Sequence, residues 1–181
     1  METILVLSSI LLWVMVLLNL LLTLGLARRM RVTFPRMGSL KVGQRAPDFT
    51  AQTLKGETVT LATYAGRAVA FVFVSPDCKP CREELPRLAG LRPKAEQFGV
   101  ELLLVSDADE DKTLSFVEGT VDGLPVLVAP RERNPFFSDY KAMGTPSYCL
   151  IDAHGKVRVA GVGVSELAEK IEALSSSSER R

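Results

Sequence analysis

The sequence predicts one α/β sandwich, a central mixed sheet covered by helices, preceded by a single membrane-spanning helix. Three observations lead there. Ile4 to Leu26 carries no charged side chain, and short apolar runs alternate with helix-periodic segments between Gly43 and Leu174. The run Ala68 to Val74 (AVAFVFV) is apolar throughout, as a strand buried on both faces of a sheet should be.

Taken in order, the first element is the span. At about 1.5 Å per residue, residues 4–26 cover a hydrocarbon core of roughly 30 Å with some tilt to spare. A cleaved signal would begin with a basic segment and end at a small-residue site. This chain begins Met1-Glu2-Thr3 and leaves the span through Ala27-Arg28-Arg29, so the reading is a retained anchor. Residues 27–42 follow as a basic juxtamembrane linker, in which Pro35 and Gly38 oppose a continuous helix and the arginines suit contact with anionic lipid. Arg28, Arg29, Arg31 and Arg36 follow the span and no Lys or Arg precedes it. By charge bias alone the domain would then lie in the cytoplasm.

Residues 43–174 are expected to form the folded domain. Its 15 basic and 19 acidic side chains make it mildly acidic, which argues against a nucleic-acid binder. Asp48 to Thr53 and Thr58 to Leu61 read as a hairpin around Gly56, and Ala68 to Val74 as the central strand. Cys81 to Phe98 is a helix, with Leu85, Leu88, Leu91 and Ala95 on one face. Val100 to Val105 is a second buried strand, Glu110 to Glu118 a short helix and Val126 to Val128 a short strand. Pro135 to Ala142 is compatible with a helix. Ser147 to Ile151 and Lys156 to Ala160 form a hairpin through Asp152, His154 and Gly155, and Ser165 to Leu174 closes as an amphipathic helix. Residues 175–181, four serines and Glu179-Arg180-Arg181, are expected to be a disordered tail.

The chemistry is concentrated at Ser75-Pro76-Asp77-Cys78-Lys79-Pro80-Cys81, where the buried strand meets the long helix. A helix N-terminus offers unpaired N–H groups and partial positive charge, which stabilise a thiolate at Cys78. Lys79 adds a cation and Asp77 opposes it, for a net pKa shift expected downward. One turn on, Cys81 can reach back and resolve a mixed disulfide. Pro80 is tolerated because first-turn N–H groups lack intrahelical partners. A metal site would need about four ligands, and beyond this pair only Cys149 and His154 offer soft or imidazole donors, in a different hairpin. Haem attachment would need His after Cys81, where Arg82 stands. Three cysteines are too few for a disulfide-built scaffold. The reading is a redox pair, with neither metal nor cofactor.

Several motifs together resemble a family. Gly43-x-x-Ala46-Pro47-Asp48-Phe49, Gly56, Phe71-Val72-Phe73-Val74-Ser75, Cys78-Lys79-Pro80-Cys81 and Gly144-Thr145-Pro146 look like membrane-anchored thioredoxin-fold proteins of the TlpA and ResA type, within the redoxin and AhpC/TSA superfamily. Leu12-Trp13, Ala27-Arg28-Arg29 and Val105-Ser106-Asp107-Ala108-Asp109-Glu110 resemble the MauD branch, accessory proteins of methylamine utilisation. The resemblance implies a thioredoxin-like sandwich, with Pro86 as the helix-kinking proline. It implies catalytic roles for Cys78 and Cys81, and a cis-proline loop in which Thr145 and Pro146 hold the substrate polypeptide. Glu84 matches a glutamate that could assist proton transfer at the dithiol, and reads equally as a solvated helix carboxylate.

Departures are specific. The buried acid that thioredoxins keep six residues before the first cysteine is Val72 here, and Asp77 replaces their tryptophan. Cys149 stands where the family keeps a large apolar residue and reads as a buried hydrophobe. His154 reads as turn surface.

The implied function is a membrane-tethered thiol-disulfide oxidoreductase. Its partners would be exported protein disulfides and a membrane-embedded electron donor or acceptor. Clients in cofactor-protein maturation follow from the resemblance alone, as does an extracytoplasmic domain, against the charge bias. One alternative is a thiol peroxidase, since Ser75 falls three residues before Cys78, although Phe71 occupies that motif's proline position. The other is a tethered binding module, which would need no paired thiols.

Overall fold

The computed structural model describes residues 1–33, 40–121 and 123–178. The chain divides into two units, Met1–Met37 and Gly38–Arg181. The first is a helix, α1 (Glu2–Thr33). Its stretch Val6–Thr23 has a mean hydropathy of 2.4 and none of it is buried, so it is long and apolar enough to cross a membrane. Inside it, Thr23 Oγ1 donates to the Asn19 carbonyl at 2.5 Å. The helix continues to Thr33, past the expected start of the linker, because Arg and Met are good helix formers and neither Gly nor Pro occurs from Ala27 to Thr33. The part of the linker containing Pro35, Arg36 and Gly38 lies outside the described residues.

The second unit is the expected thioredoxin-like sandwich, built on a seven-stranded mixed sheet in the order β2-β1-β5-β4-β3-β6-β7. The strands are β1 (Thr50–Thr53), β2 (Thr58–Thr60), β3 (Ala68–Val74), β4 (Val100–Ser106), β5 (Val126–Val128), β6 (Ser147–Ile151) and β7 (Val157–Val162). β3, β4 and β5 run parallel, while β1, β6 and β7 add antiparallel ladders. The helices are α2 (Lys79–Gln97), α3 (Glu110–Val117), α4 (Phe136–Asp139) and α5 (Val164–Ser178).

Alternation along the central strands feeds two cores. Ala70, Val72 and Val74 of β3 join Leu102 and Leu104 of β4 beneath α2 and α5, which supply Cys81, Leu85, Leu88, Leu167 and Ile171. On the other face Val69, Phe71 and Phe73 join an aromatic cluster with Phe49, Tyr64, Phe136 and Tyr140. Phe49 and Phe136 stack at 4.0 Å between centroids, and Phe71 meets Phe136 edge-on at 5.4 Å. With both faces covered, β3 has no need of polar alternation.

Several boundaries differ from the sequence reading. α2 begins two residues earlier, at Lys79, because Cys78 serves as its N-cap. The compatible helix at 135–142 shortens to Phe136–Asp139. A 3₁₀ turn, Leu61–Tyr64, follows β2 and seats Tyr64 in the aromatic core. α5 runs to Ser178, so Ser175 to Ser178 are helical where a tail was expected. Serine costs a helix little compared with Gly or Pro, and α5 is already anchored by Val164, Leu167 and Ile171 in the core. Residues 179–181 lie outside the described residues.

Candidate active site

The site forms where the C-terminal end of β3 meets the N-terminal end of β6, strands that pair antiparallel with Phe73 opposite Ser147. After Val74 the chain turns through Ser75, whose carbonyl accepts from the Cys78 amide at 3.1 Å. Cys78 then caps α2: its Sγ accepts from the Cys81 amide at 3.3 Å, which takes up one of the donors that every helix start leaves unpaired. Pro80 lies in the first turn, where its missing N–H removes no helical bond. From β6's side comes the loop containing the cis Thr145–Pro146 bond. The Cys78 thiol donates to the Thr145 carbonyl at 3.3 Å, so cysteine and cis-proline loop face each other across 67 residues of chain.

The two thiols are unlike. Cys81 is fully buried, and burial, with the hydrogen bond to Cys78, pushes it up to about 11 against weaker help from Thr145 and Ser75. Cys78 is half-buried. Burial works to raise it too, but hydrogen bonds from the Cys81 and Thr145 side chains and from the Cys81 amide outweigh burial and hold it below the usual thiol value. The Asp107 carboxylate opposes them. One accessible sulfur thus inclines to the thiolate, with a protonated partner one turn behind it.

Other candidates lie where the sequence did not specify. The Lys79 ammonium pairs with Glu83 at 3.9 Å and its side chain is 88% exposed. The groups that favour the Cys78 thiolate are hydrogen-bond donors, and Lys79 is not among them. Glu84 sits on the same helix, accepting from Arg87 at 2.9 Å, while its other oxygen, Oε2, is buried without a hydrogen-bond partner. Cys149 is buried in β6, and burial alone pushes its thiol up to about 12. The His154 amide donates to Asp152 Oδ1 in the β6–β7 turn.

The sequence reading gave no site role to Asp107, whose charge acts on Cys78, or to Arg131, which pairs with it. Asp107 follows β4, and its amide donates to the Val74 carbonyl at 3.2 Å. Arg131 reaches it from the segment after β5, Nε to Oδ2 at 2.8 Å. The available signal was positional: parallel strands gather function at their C-terminal ends, and Asp107 directly follows β4 beside the end of β3.

Comparison with known proteins bears on the family and the fold. The AhpC/TSA family model matches residues 42–160. Thioredoxin-like protein YneN of Bacillus subtilis (strain 168) is 30% identical over 139 residues, covering 74% of this chain and 80% of its own. Thiol-disulfide oxidoreductase ResA of Bacillus thuringiensis subsp. konkukian is 31% identical over 126 residues, 68% of this chain and 71% of its own. Among solved structures, the thioredoxin domain of a thiol-disulfide oxidoreductase from Bacteroides vulgatus superposes with a TM-score of 0.66 at 26% identity, covering 75% of this chain and 98% of that one. A thiol:disulfide interchange protein from a Bacteroides species gives a TM-score of 0.65 at 25% identity, covering 74% and 90%.

Proposed function

The chain belongs to the AhpC/TSA family, and from that premise we propose how it works as a thiol-disulfide oxidoreductase. Cys78 is the attacking thiolate and Cys81 the resolving thiol. The observation that carries this assignment is their asymmetry: an accessible thiol held low by hydrogen bonds and a buried one held at about 11.

The Cys78 thiolate attacks a client disulfide, forming a Cys78–client bond and expelling one client thiolate. Cys81 then gives up its proton and attacks the Cys78 sulfur. The second client thiolate leaves, the client has gained two electrons, and the protein holds a Cys78–Cys81 disulfide. Run in reverse, the same steps oxidise a client dithiol. Thr145 and Pro146 line the face the client backbone meets, and Glu84 is the carboxylate on α2 that takes part in proton transfer.

The apolar stretch of α1 supports a tether in the bilayer, with the domain in residues 43–174. On this reading the domain lies outside the cytoplasm, where protein disulfides persist, and exchanges electrons with a membrane-embedded carrier. Its clients are exported proteins, including subunits of cofactor-bearing enzymes such as those the MauD-like segments suggest.

Cys81→Ser tests the central step. It should accumulate a mixed disulfide through Cys78, because attack proceeds and release does not, while Cys78→Ser should accumulate none. Equal alkylation of Cys78 and Cys81 at neutral pH would overturn the assignment. Faster consumption of peroxide than of insulin disulfides would point to a peroxidase instead.

A further inference from the structure

Charged and titratable groups surround Cys78 from several elements. Asp77 precedes it, and Lys79 follows but is drawn to Glu83. Cys81 lies one turn on. The Arg82 guanidinium turns to the Pro76 carbonyl at 3.1 Å and over the Phe116 ring of α3, and Glu84 is tied to Arg87. From β4 comes Asp107, bound by its own amide to the end of β3 and only 14% exposed at its side chain. A carboxylate held there opposes a neighbouring thiolate.

Arg131 meets Asp107 at two points, backbone and side chain. Its backbone amide donates to the Asp107 carbonyl at 3.3 Å, and its Nε to Asp107 Oδ2 at 2.8 Å. The guanidinium is fixed in turn over the Phe137 ring, 4.4 Å from its centroid. On its outer side, 41% exposed, it lines a cleft of about 480 Å³ together with Phe137 and Met143, two residues before Thr145.

We propose that Arg131 is a positioning residue for the dithiol: it holds and neutralises the Asp107 carboxylate, and so keeps that charge from opposing the Cys78 thiolate. The pair acts as a charge screen set between β4 and the cleft lined by Phe137 and Met143. This rests on the assignment of Cys78 as the attacking thiol.

The test is the pH dependence of alkylation at Cys78, followed peptide by peptide in the reduced full-length protein in detergent. Arg131→Met, which keeps length and packing on Phe137, should raise the Cys78 midpoint by on the order of half a pH unit, and the isosteric Asp107→Asn should lower it by a similar amount. Arg131→Lys, which keeps the positive charge, should return the midpoint most of the way to the parent value. The inference is overturned if Arg131→Met leaves the midpoint unmoved, or if Arg131→Lys moves it as far as Arg131→Met does, the mark of a merely structural role. If Cys81 alkylates faster than Cys78 in the parent protein, the underlying assignment falls instead.

Discussion

At the scale of single residues, three thiols occupy three environments, and only one is suited to attack. Cys149 shows what burial does without donors: its thiol is pushed from 9.0 up to about 12. A thiol raised on folding favours the native state while the unfolded chain keeps its own proton. That contribution is complete below about pH 9 and is lost as pH rises towards 12. Cys149→Ala should therefore narrow the loss of stability between pH 7 and about pH 10.5, measured as the shift in denaturant midpoint, even if the variant is weaker at neutral pH. A parent and variant that lose equal stability over this interval would contradict it. The placing of Cys78 and Cys81 together at the start of α2 was legible in the sequence because two thiols at i and i+3 across a helix start are a local arrangement. The Asp107–Arg131 pair was not, because its partners are 24 positions apart and meet only once β4 and β5 are side by side. Lys79 shows the opposite case: it adjoins Cys78 in sequence, but on the helix its ammonium lies 3.9 Å from Glu83.

At the scale of elements, the periodicities that located β3, α2, β4 and β6 are those of segments buried on a full face, where packing and pattern agree. The ends were harder to read. α1 and α5 both outrun their apolar stretches, since Arg and Ser continue a helix that packing or hydrophobicity has already begun. The stack of Phe49 on Phe136 joins residues far apart in the chain and had no local signature. Contact between β7 and its neighbours gives a sharp test of the packing on the α2 side. A Cβ at Gly161 would lie 2.7 Å from both Tyr148 Oη and Glu166 Oε2, and 2.9 Å from Tyr148 Cζ. Glu166 can swing aside, but the Tyr148 ring is held in the core. Gly161→Ala should cost about 1–3 kcal/mol, read as a lower thermal midpoint, whereas the open Gly90 replaced by Ala should cost nothing and gain helix propensity. Equal effects at the two positions would refute this account.

At the scale of the whole molecule, topology is where sequence arguments diverge. Four arginines after the span favour an inward domain, yet long domains translocate despite such charge, and a dithiol gains from a tether chiefly where disulfides persist. With the domain outside, a C-terminal alkaline phosphatase fusion should be active and a C-terminal fluorescent-protein fusion dim, and the reverse pattern would make the clients cytosolic. The junction of β3 with β6 has a wider consequence. Cys78 and the Thr145 carbonyl are held 3.3 Å apart by a ladder that pairs Phe73 with Ser147, whereas the cleft and its arginine belong to the long excursion between them. Exchanges in that excursion would alter the cleft and the Asp107–Arg131 pair while leaving the gap between Cys78 and Thr145 untouched.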